Sequence, residues 1–565
     1  MNKLIGSRYW WLYLIILLVA LNYLASAFHG RIDLTREKRY TLSQPTKKLL
    51  GSLPGDISVD VFLQGDLKSG LRKLSKSTQE LLESFQDYGR GKVHFRFFDP
   101  LTTLDDSAKK QLVDSLKHMG IEPMTLQAQS KKGEELSERF ILPGAIVKYG
   151  DRIFPVNLFK GVANTDENSL YNNAEALLEY KFANAINKLT QQTMPAVGYV
   201  VGNGEPLDFS VYNLIEGLRK NYRFGIVRLD SLPVIPSAYD ALVLVKPTSA
   251  FSLQEKLKLD QYVMHGGSIL YMIDNLHAEM DSIRLDKETV AYDRGLNLED
   301  LFFKYGVRLN QDLVQDMQCA TINFVVGMTG DKPQIQPLPW PYFPLLSGSL
   351  THPISKNLDP VYAKFTNSVD TVRAAGISKQ VLLQTSANGR VIGTPAMISF
   401  ESVKQASDPK FFSRANIPAC VLLEGRFSSL YANRLSSGLA DTLSRLYHQP
   451  YLSHAEKPAK VIVCGSAEIV INEITQRGPA PMGYNKDINY TFANQEFLQN
   501  CLDYILDPSG ILETRSKDLT LRLLDPKKLE DDRSFWQWVN ITGPLLLVLA
   551  GGMLYQFLRK RKYQS

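Results

Sequence analysis

The sequence predicts a membrane-anchored α/β protein, and three observations carry that expectation. Two uncharged apolar runs, Trp10 to Phe28 and Ser534 to Leu558, bracket the chain. Between them, strand-like alternation gives way repeatedly to helix-like stripes, and in the second half short apolar strands run straight into turns.

The apolar runs hold 19 and 25 residues. At about 1.5 Å rise per helical residue, each suffices for a hydrocarbon core roughly 30 Å thick. Trp10, Trp11, Trp536 and Trp538 sit at their edges, as amphipathic rings do at a headgroup boundary. Pro544 and Gly551-Gly552 are compatible with a membrane helix whose neighbours satisfy its backbone. Two crossings, over residues 10–28 and 534–558, put tails 1–9 and 559–565 on one side and residues 29–533 on the other. Lys3, Arg8 and Arg559 to Lys562 favour cytoplasmic tails. Arg31, Arg36, Lys38, Arg39, Lys527, Lys528 and Arg533 make the opposite flanks basic too, but long domains translocate largely regardless of charge. The expectation is an exported central domain. Ala25-Ser26-Ala27 also fits a signal-peptidase site, whose use would leave a single C-terminal anchor.

Composition narrows the function. A formal net charge of +6 over 565 residues, much of it at the membrane flanks, leaves no nucleic-acid footprint. Cys319, Cys420, Cys464 and Cys501 form no CxxC and no zinc spacing. Buried apolar thiols are the first reading, and a disulfide among them stays open.

Residues 29–55 read as a charged connector closing in a short helix through Leu50, capped by Ser43 or Thr46. Ile57, Val59 and Val61 then alternate with polar residues as a half-buried strand does. Leu71, Leu74, Thr78, Leu81, Leu82 and Phe85 draw one stripe of an amphipathic helix. Val93, Phe95 and Phe97 alternate again, a helix fits 106–119, and strands follow near 122–128, 140–148 and 152–156. This βαβαβββ order over 56–160 predicts a thioredoxin-like layer of helices on a mixed sheet. No cysteine precedes Cys319, so redox chemistry is excluded there and binding or architecture remains.

Residues 161–193 are a linker and a helix whose Leu178, Phe182, Ala185, Ile186 and Leu189 share a face. A second domain, 194–506, opens with the strand Ala196 to Val201, which meets Gly202-Asn203-Gly204-Glu205-Pro206, and a helix starts near Asp208. Strands at 224–229, 241–245 and 268–273 alternate with a helix at 252–264. That is the grammar of a flavodoxin-like parallel sheet with helices on both faces. Ligands of such sheets favour the carboxyl ends of strands, which makes Gly202, Asn203, Gly204, Glu205 and Asp274 the candidate ligand-binding residues. Residues 310–430 show no clear period. Val461 to Gly465 reads as a late strand, Phe497, Cys501, Tyr504 and Ile505 line a last helix, and 507–533 returns to the membrane.

Catalytic motifs are scarce. Gly91-Lys92 has no phosphate loop before it, so no Walker motif is present. Gly202 to Leu207 starts like a dinucleotide loop, yet Leu207 stands where close helix packing needs glycine; a tight turn with positive φ explains the glycines as well. Cys464 lacks the frame of a nucleophile elbow and reads as a core thiol. The histidines form no metal pattern, and His265 and His352 read as turn or loop residues. Glu205, Asp274 and Glu468 could converge as paired carboxylates, although strand-end carboxylates are commonly caps. An exported carbohydrate-active or amidohydrolase-like enzyme using Glu205 and Asp274 is therefore the rival to a binding or scaffold role. No cofactor and no metal is expected.

The run Arg31-Ile32-Asp33-Leu34-Thr35, Glu37-Lys38-Arg39-Tyr40-Thr41-Leu42-Ser43, the Gly202 to Glu205 turn, Arg515-Ser516-Lys517 and the closing apolar run together resemble the GldG-type gliding-motility ABC-transporter auxiliary proteins of the Bacteroidetes. The resemblance implies a two-pass protein of the bacterial inner membrane with a periplasmic domain. It also implies a separate ATPase subunit and a separate permease subunit; a periplasmic protein or glycan is the expected cargo. It further implies an amidotransferase-like second domain similar to that of intraflagellar transport proteins. Relatives commonly have Gly-His-Gly-Glu where this chain has Asn203, and Asp-x-Asp where it has Ser466-Ala467-Glu468.

Overall fold

The structure is a computed structural model that describes residues 41–65, 67–102, 104–121, 123–129, 136–159, 167–191, 193–280, 282–283, 288–329, 332–400, 409–432, 450–507, 509–516 and 533–563, with positions 15, 16, 18, 19, 438, 441, 444 and 445. The chain divides into a large unit, Met1–Lys517, and a C-terminal unit, Asp518–Ser565. The first apolar run and the connector to Tyr40 lie almost wholly outside the described residues, as does most of the return segment.

Helix α1 (Gln44–Gly51) starts at Ser43, whose hydroxyl accepts from the Thr46 N–H at 3.3 Å, so Ser43 rather than Thr46 is the cap. The Ser43 N–H in turn donates to Oε1 of Glu179 at 2.7 Å, fixing the end of the connector on a later helix. Strand β1 (Ile57–Val61) is followed by α2 (Ser69–Tyr88), β2 (Val93–Phe97), α3 (Asp106–His118), a hairpin β3 (Met124–Gln129) and β4 (Leu136–Ile141), then β5 (Gly144–Tyr149) and β6 (Arg152–Asn157). The sheet order is β2-β1-β5-β6, with β1 and β2 parallel and the remaining pairs antiparallel. Leu71, Leu74, Thr78, Leu82 and Phe85 of the expected stripe are buried. The strand expected at 140–148 is two strands. Pro143 has no N–H to continue a ladder, so β4 ends at Ile141 and pairs with β3 while β5 joins the main sheet.

Helix α4 (Glu167–Thr190) leads to β7 (Ala196–Val201), α5 (Tyr212–Asn221), β8 (Arg223–Arg228), β9 (Ala241–Val245), α6 (Leu253–Met264) and β10 (Ser268–Met272). Ser252 and Glu255 make a reciprocal capping box at the start of α6. Three short assemblies follow: β11 (Leu276–His277) with β12 (Glu288–Asp293) and β21 (Ala396–Ser399); β13 (Val307–Leu309) with β18 (Val369–Thr371); and β14 (Asp312–Asp316) with β20 (Gly389–Gly393). Helix α7 (Glu299–Tyr305) lies between β12 and β13. Strands β15 (Cys319–Thr329) and β16 (Lys332–Gly348) form a long hairpin, β17 (Val361–Tyr362) pairs with β16, and β19 (Ile377–Gln384), β22 (Pro418–Gly425), β23 (Ala459–Cys464) and α8 (Asn494–Leu506) complete the unit.

The large sheet runs β15-β16-β19-β22-β23-β10-β9-β7-β8. Its β8, β7, β9, β10 and β23 are mutually parallel, as the βαβ grammar requires. From β22 outward the pairs are antiparallel, so the expected parallel sheet is in fact mixed. Burial on both faces follows the strand period of two. Leu270, Met272, Ile462 and Cys464 join one core with Phe182 and Ile186 of α4 and Phe497 of α8. Ile269, Tyr271, Val461 and Val463 join a second with Val263 of α6 and Phe302 of α7. The first core continues through α4 into Val59, Leu74 and Phe85, so the N-terminal sheet and the large sheet share one apolar interior.

In the C-terminal unit, helix α9 (Arg533–Tyr563) carries a 27-residue stretch, Phe535–Arg561, with exposed apolar side chains. Among the described residues it is the one helix long and apolar enough to cross a membrane. Ile15, Ile16, Leu18 and Val19 of the first run are helical and exposed.

Candidate functional site

The carboxyl ends of β7, β9, β10 and β23 gather the charged residues that the parallel topology brings to one edge. Gly202 and Gly204 follow β7 with φ of +136° and +82°, the left-handed space that glycine enters without cost. A Cβ on Gly204 would stand 2.0 Å from Oγ1 of Thr248, so the next loop also requires its absence. The buried Asn203 carbonyl accepts from the N–H groups of Thr248 and Ser249, both at 2.9 Å. Its side-chain Nδ2 donates to Oε2 of Glu255 at 3.2 Å and to the Ala250 carbonyl at 3.3 Å. Glu205 Oε2 accepts from the Asn203 N–H at 2.8 Å. Burial pushes the Glu205 carboxyl above its ordinary range, against the pull of the turn's own N–H groups. The four expected residues of this turn therefore serve first to hold it, and Glu205 caps its own loop.

Asp274 belongs to a different constellation. Its Oδ1 accepts from the Ala467 N–H at 2.6 Å, and its Oδ2 stands 3.7 Å from Nζ of Lys246. Lys246, directly after β9, donates to Oε1 of Glu468 at 2.6 Å. Burial alone would lower the lysine, but Glu468 and Asp274 outweigh it and hold the ammonium above its ordinary range. Burial works against Glu468 as well, and Lys246 with Lys364 outweighs it, keeping that carboxyl low. Asp274 is held high, by burial first and by the Glu468 charge next, in spite of Lys246. The expected convergence thus joins Asp274 with Glu468 through a lysine, whereas Glu205 turns back onto the Asn203 N–H.

The ion pairs continue outward. Lys364 Nζ stands 3.6 Å from Glu468 and 3.8 Å from Glu473, and Lys486 Nζ stands 3.4 Å from Glu473. With Phe365, Ile471 and Ile474 these residues line a cavity of about 240 Å³. Asn367 positions the loop that carries Lys364 and Phe365: it accepts from the Asn275 N–H at 2.9 Å and donates its own N–H to the Gly465 carbonyl at 2.7 Å. Gly465 permits this, since a Cβ there would meet the Asn367 oxygen at 2.3 Å. Lys246, Lys364, Glu473 and Lys486 carried no local signal in the sequence. Only position could have found Lys246, which follows an apolar strand just as Gly202 and Asp274 nearly do.

Chemically, the lysines are charged and paired, which suits recognition rather than base chemistry. Among the described residues no group of three or more His, Cys, Asp or Glu is placed to hold a metal ion. Cys464 is fully buried, and His265 caps the end of α6, its Nε2–H donating to the Pro450 carbonyl at 3.1 Å. His352 lies in a loop, as expected, and is buried against Tyr504.

Comparison with known proteins places this geometry in a family. A family model described as an ABC-type uncharacterized transport system matches residues 194–501, more than half of the chain. A model described as a domain of unknown function matches residues 36–148. An uncharacterized protein of Borreliella burgdorferi is 20% identical over 542 residues, covering 94% of each chain. Among solved structures, the mmIFT52 N-terminal domain covers 55% of this chain and 97% of its own at 13% identity and a TM-score of 0.30. A ThuA-like protein from Parabacteroides merdae covers 58% of this chain and 89% of its own at 11% identity and a TM-score of 0.22. Neither structural likeness, at such scores, adds to the fold described above. The chain belongs to the ABC-type uncharacterized transport system family.

Proposed function

We propose that this protein is a non-catalytic accessory subunit of an ABC transport complex in a bacterial inner membrane, with its large unit in the periplasm and both tails in the cytoplasm. The observation that carries the reading is the family match over the domain that holds the charged cleft, in a chain without a Walker motif of its own. A separate ATPase subunit supplies hydrolysis, a separate permease subunit supplies the path, and helix α9 together with the apolar run 10–28 docks against the permease. The N-terminal sheet, ordered β2-β1-β5-β6, is read as a thioredoxin-like domain used for binding, since it contains no cysteine. The link to gliding motility or cell-surface assembly is supported by the resemblance of the Arg31 to Ser43 run.

The test is co-purification. The full chain and a chain ending at residue 534 are each expressed with ABC permease and ATPase subunits from the same organism. The full chain is expected to retain the permease and the truncated chain to lose it. Equal retention would overturn the docking role of α9, and failure of the full chain to retain either subunit would overturn the accessory reading.

A further inference from the structure

The cleft at the carboxyl edge of the large sheet shows three features that compensated ion pairs alone do not require. Lys246 and Phe365, two of its lining residues, are non-glycine residues with φ of +47° and +46°. Such backbone is strained for a residue with a Cβ and tends to be kept where a site needs it. Thr366 Oγ1, next to Phe365 in the chain, and Asn275 Nδ2, next to Asp274, are buried without a hydrogen-bond partner. The outer ion pairs are also long. At 3.4 to 3.8 Å, the contacts of Lys364 and Lys486 with Glu468 and Glu473 exceed ordinary hydrogen-bond lengths, whereas Lys246 to Glu468 closes to 2.6 Å. The inner pair is spent on itself, and the outer groups keep capacity to donate and accept.

From this we infer that the cleft binds an uncharged polyhydroxylated ligand, a glycan segment, an inference that rests on the periplasmic accessory reading above. Charge balance selects the class. Lys246, Lys364 and Lys486 share the lining with Glu279, Glu468 and Glu473, while Asp274 pairs with Lys246 and Arg294 with Glu279, so an anion would have to displace a carboxylate and a cation a basic group. Hydroxyls displace neither: each accepts from an ammonium and donates to a carboxylate without breaking a pair. Phe365, Ile471 and Ile474 supply an apolar wall for the C–H face of a sugar ring. The cavity, about 240 Å³, has room for a sugar ring.

The experiment uses the detergent-solubilised full chain and saturation-transfer NMR with cellotriose, mannotriose, maltotriose and an N-acetylglucosamine trimer, beside glycine and inorganic phosphate. At least one trisaccharide is expected to bind, with affinity falling tenfold or more in Glu473→Gln and in Lys364→Met. Lys486→Met, at a half-exposed position that leaves the fold intact, is expected to fall at least threefold, and Lys76→Met on α2 to leave binding unchanged. Saturation by phosphate or glycine with silent trisaccharides overturns the inference, as does silence of every trisaccharide at millimolar concentration or binding indifferent to Glu473→Gln and Lys486→Met. Binding is read on the isolated chain and permease retention on the complex, so failure of one is distinguishable from failure of the other.

Discussion

Arg515 donates from both terminal guanidinium nitrogens to a single oxygen of Glu496, each at 3.2 Å. The same side chain reaches Asn500 Oδ1 and the Lys356 carbonyl at 3.2 Å and lies over the Tyr180 ring at 5.0 Å. One buried cation thus ties the segment Ile511–Ser516 to α8, to α4 and to the loop before β17. Replacing it takes this donor from Asn500 Oδ1, the Lys356 carbonyl and Glu496 at once. Arg515→Met is expected to cost about 2–4 kcal/mol in denaturant unfolding, discounted because Glu496 is partly exposed. Arg515→Lys should recover little, since an ammonium lacks the planar fork. An unchanged unfolding midpoint in both variants would show that the network adds no stability.

Acid should weaken the protein through His352. Burial first, and the nearby Lys460 ammonium next, push its imidazole down to about 4. The unfolded chain therefore takes up a proton near the ordinary histidine range while the folded chain does not, so stability is lost as pH falls through that window. Between pH 7 and pH 5 the loss attributable to this residue is on the order of 2 kcal/mol. His352→Asn keeps an acceptor for the Ile354 N–H, which donates to His352 Nδ1 at 3.2 Å, and removes the titration. Its unfolding free energy should fall less over the same interval; an identical slope would place the acid sensitivity elsewhere.

Much of this architecture was legible because its signals are local. Ala196–Val201 and Ala241–Val245 are unbroken apolar runs of strand length, and Ser252 with Glu255 announces a helix start by spacing alone. The antiparallel half was illegible for a physical reason. Strand β16 carries Pro337, Pro339 and Pro341, in a stretch that shows no clear period. Spaced by two, their ring nitrogens lie on one edge, so the ladder to β15 survives on the other. The cleft was half legible. Asp274 sits at a strand end that sequence can locate, whereas Lys364, Glu473 and Lys486 arrive from loops far along the chain, and only the assembled sheet brings them to Lys246.

The thiols should stay reduced and unreactive until the protein unfolds. Cys420 and Cys464 are register partners on β22 and β23, and Cys501 of α8 packs in the same core, all fully buried. Burial raises the Cys420 and Cys501 thiols well above their ordinary range, which removes the thiolate that reagents attack. Cys319 is pushed up to about 12, by burial and then by Asp316. A thiol titration in native buffer is expected to find almost nothing within an hour and four thiols after denaturation. Two thiols after denaturation, with a mass lower by two hydrogens, would instead reveal a disulfide.

The sharpest backbone prediction concerns Gly204. Alanine there pays for left-handed backbone, about 1 kcal/mol, and also drives its Cβ to 2.0 Å from Oγ1 of Thr248. Rotating the threonine hydroxyl relieves only part of this, because Thr248 Cβ itself stands 3.3 Å from the added methyl and the Thr248 N–H is held at 2.9 Å by the Asn203 carbonyl. Gly204→Ala is therefore expected to cost about 2–3 kcal/mol in the wild-type background, and only about 1 kcal/mol once Thr248→Ala has removed the colliding oxygen. Gly51, at the end of α1 with open space where a Cβ would go, is the contrast: Gly51→Ala should be neutral or slightly stabilising. Equal costs for Gly204→Ala with and without Thr248 would mean that the turn yields sterically and that conformation alone requires the glycine.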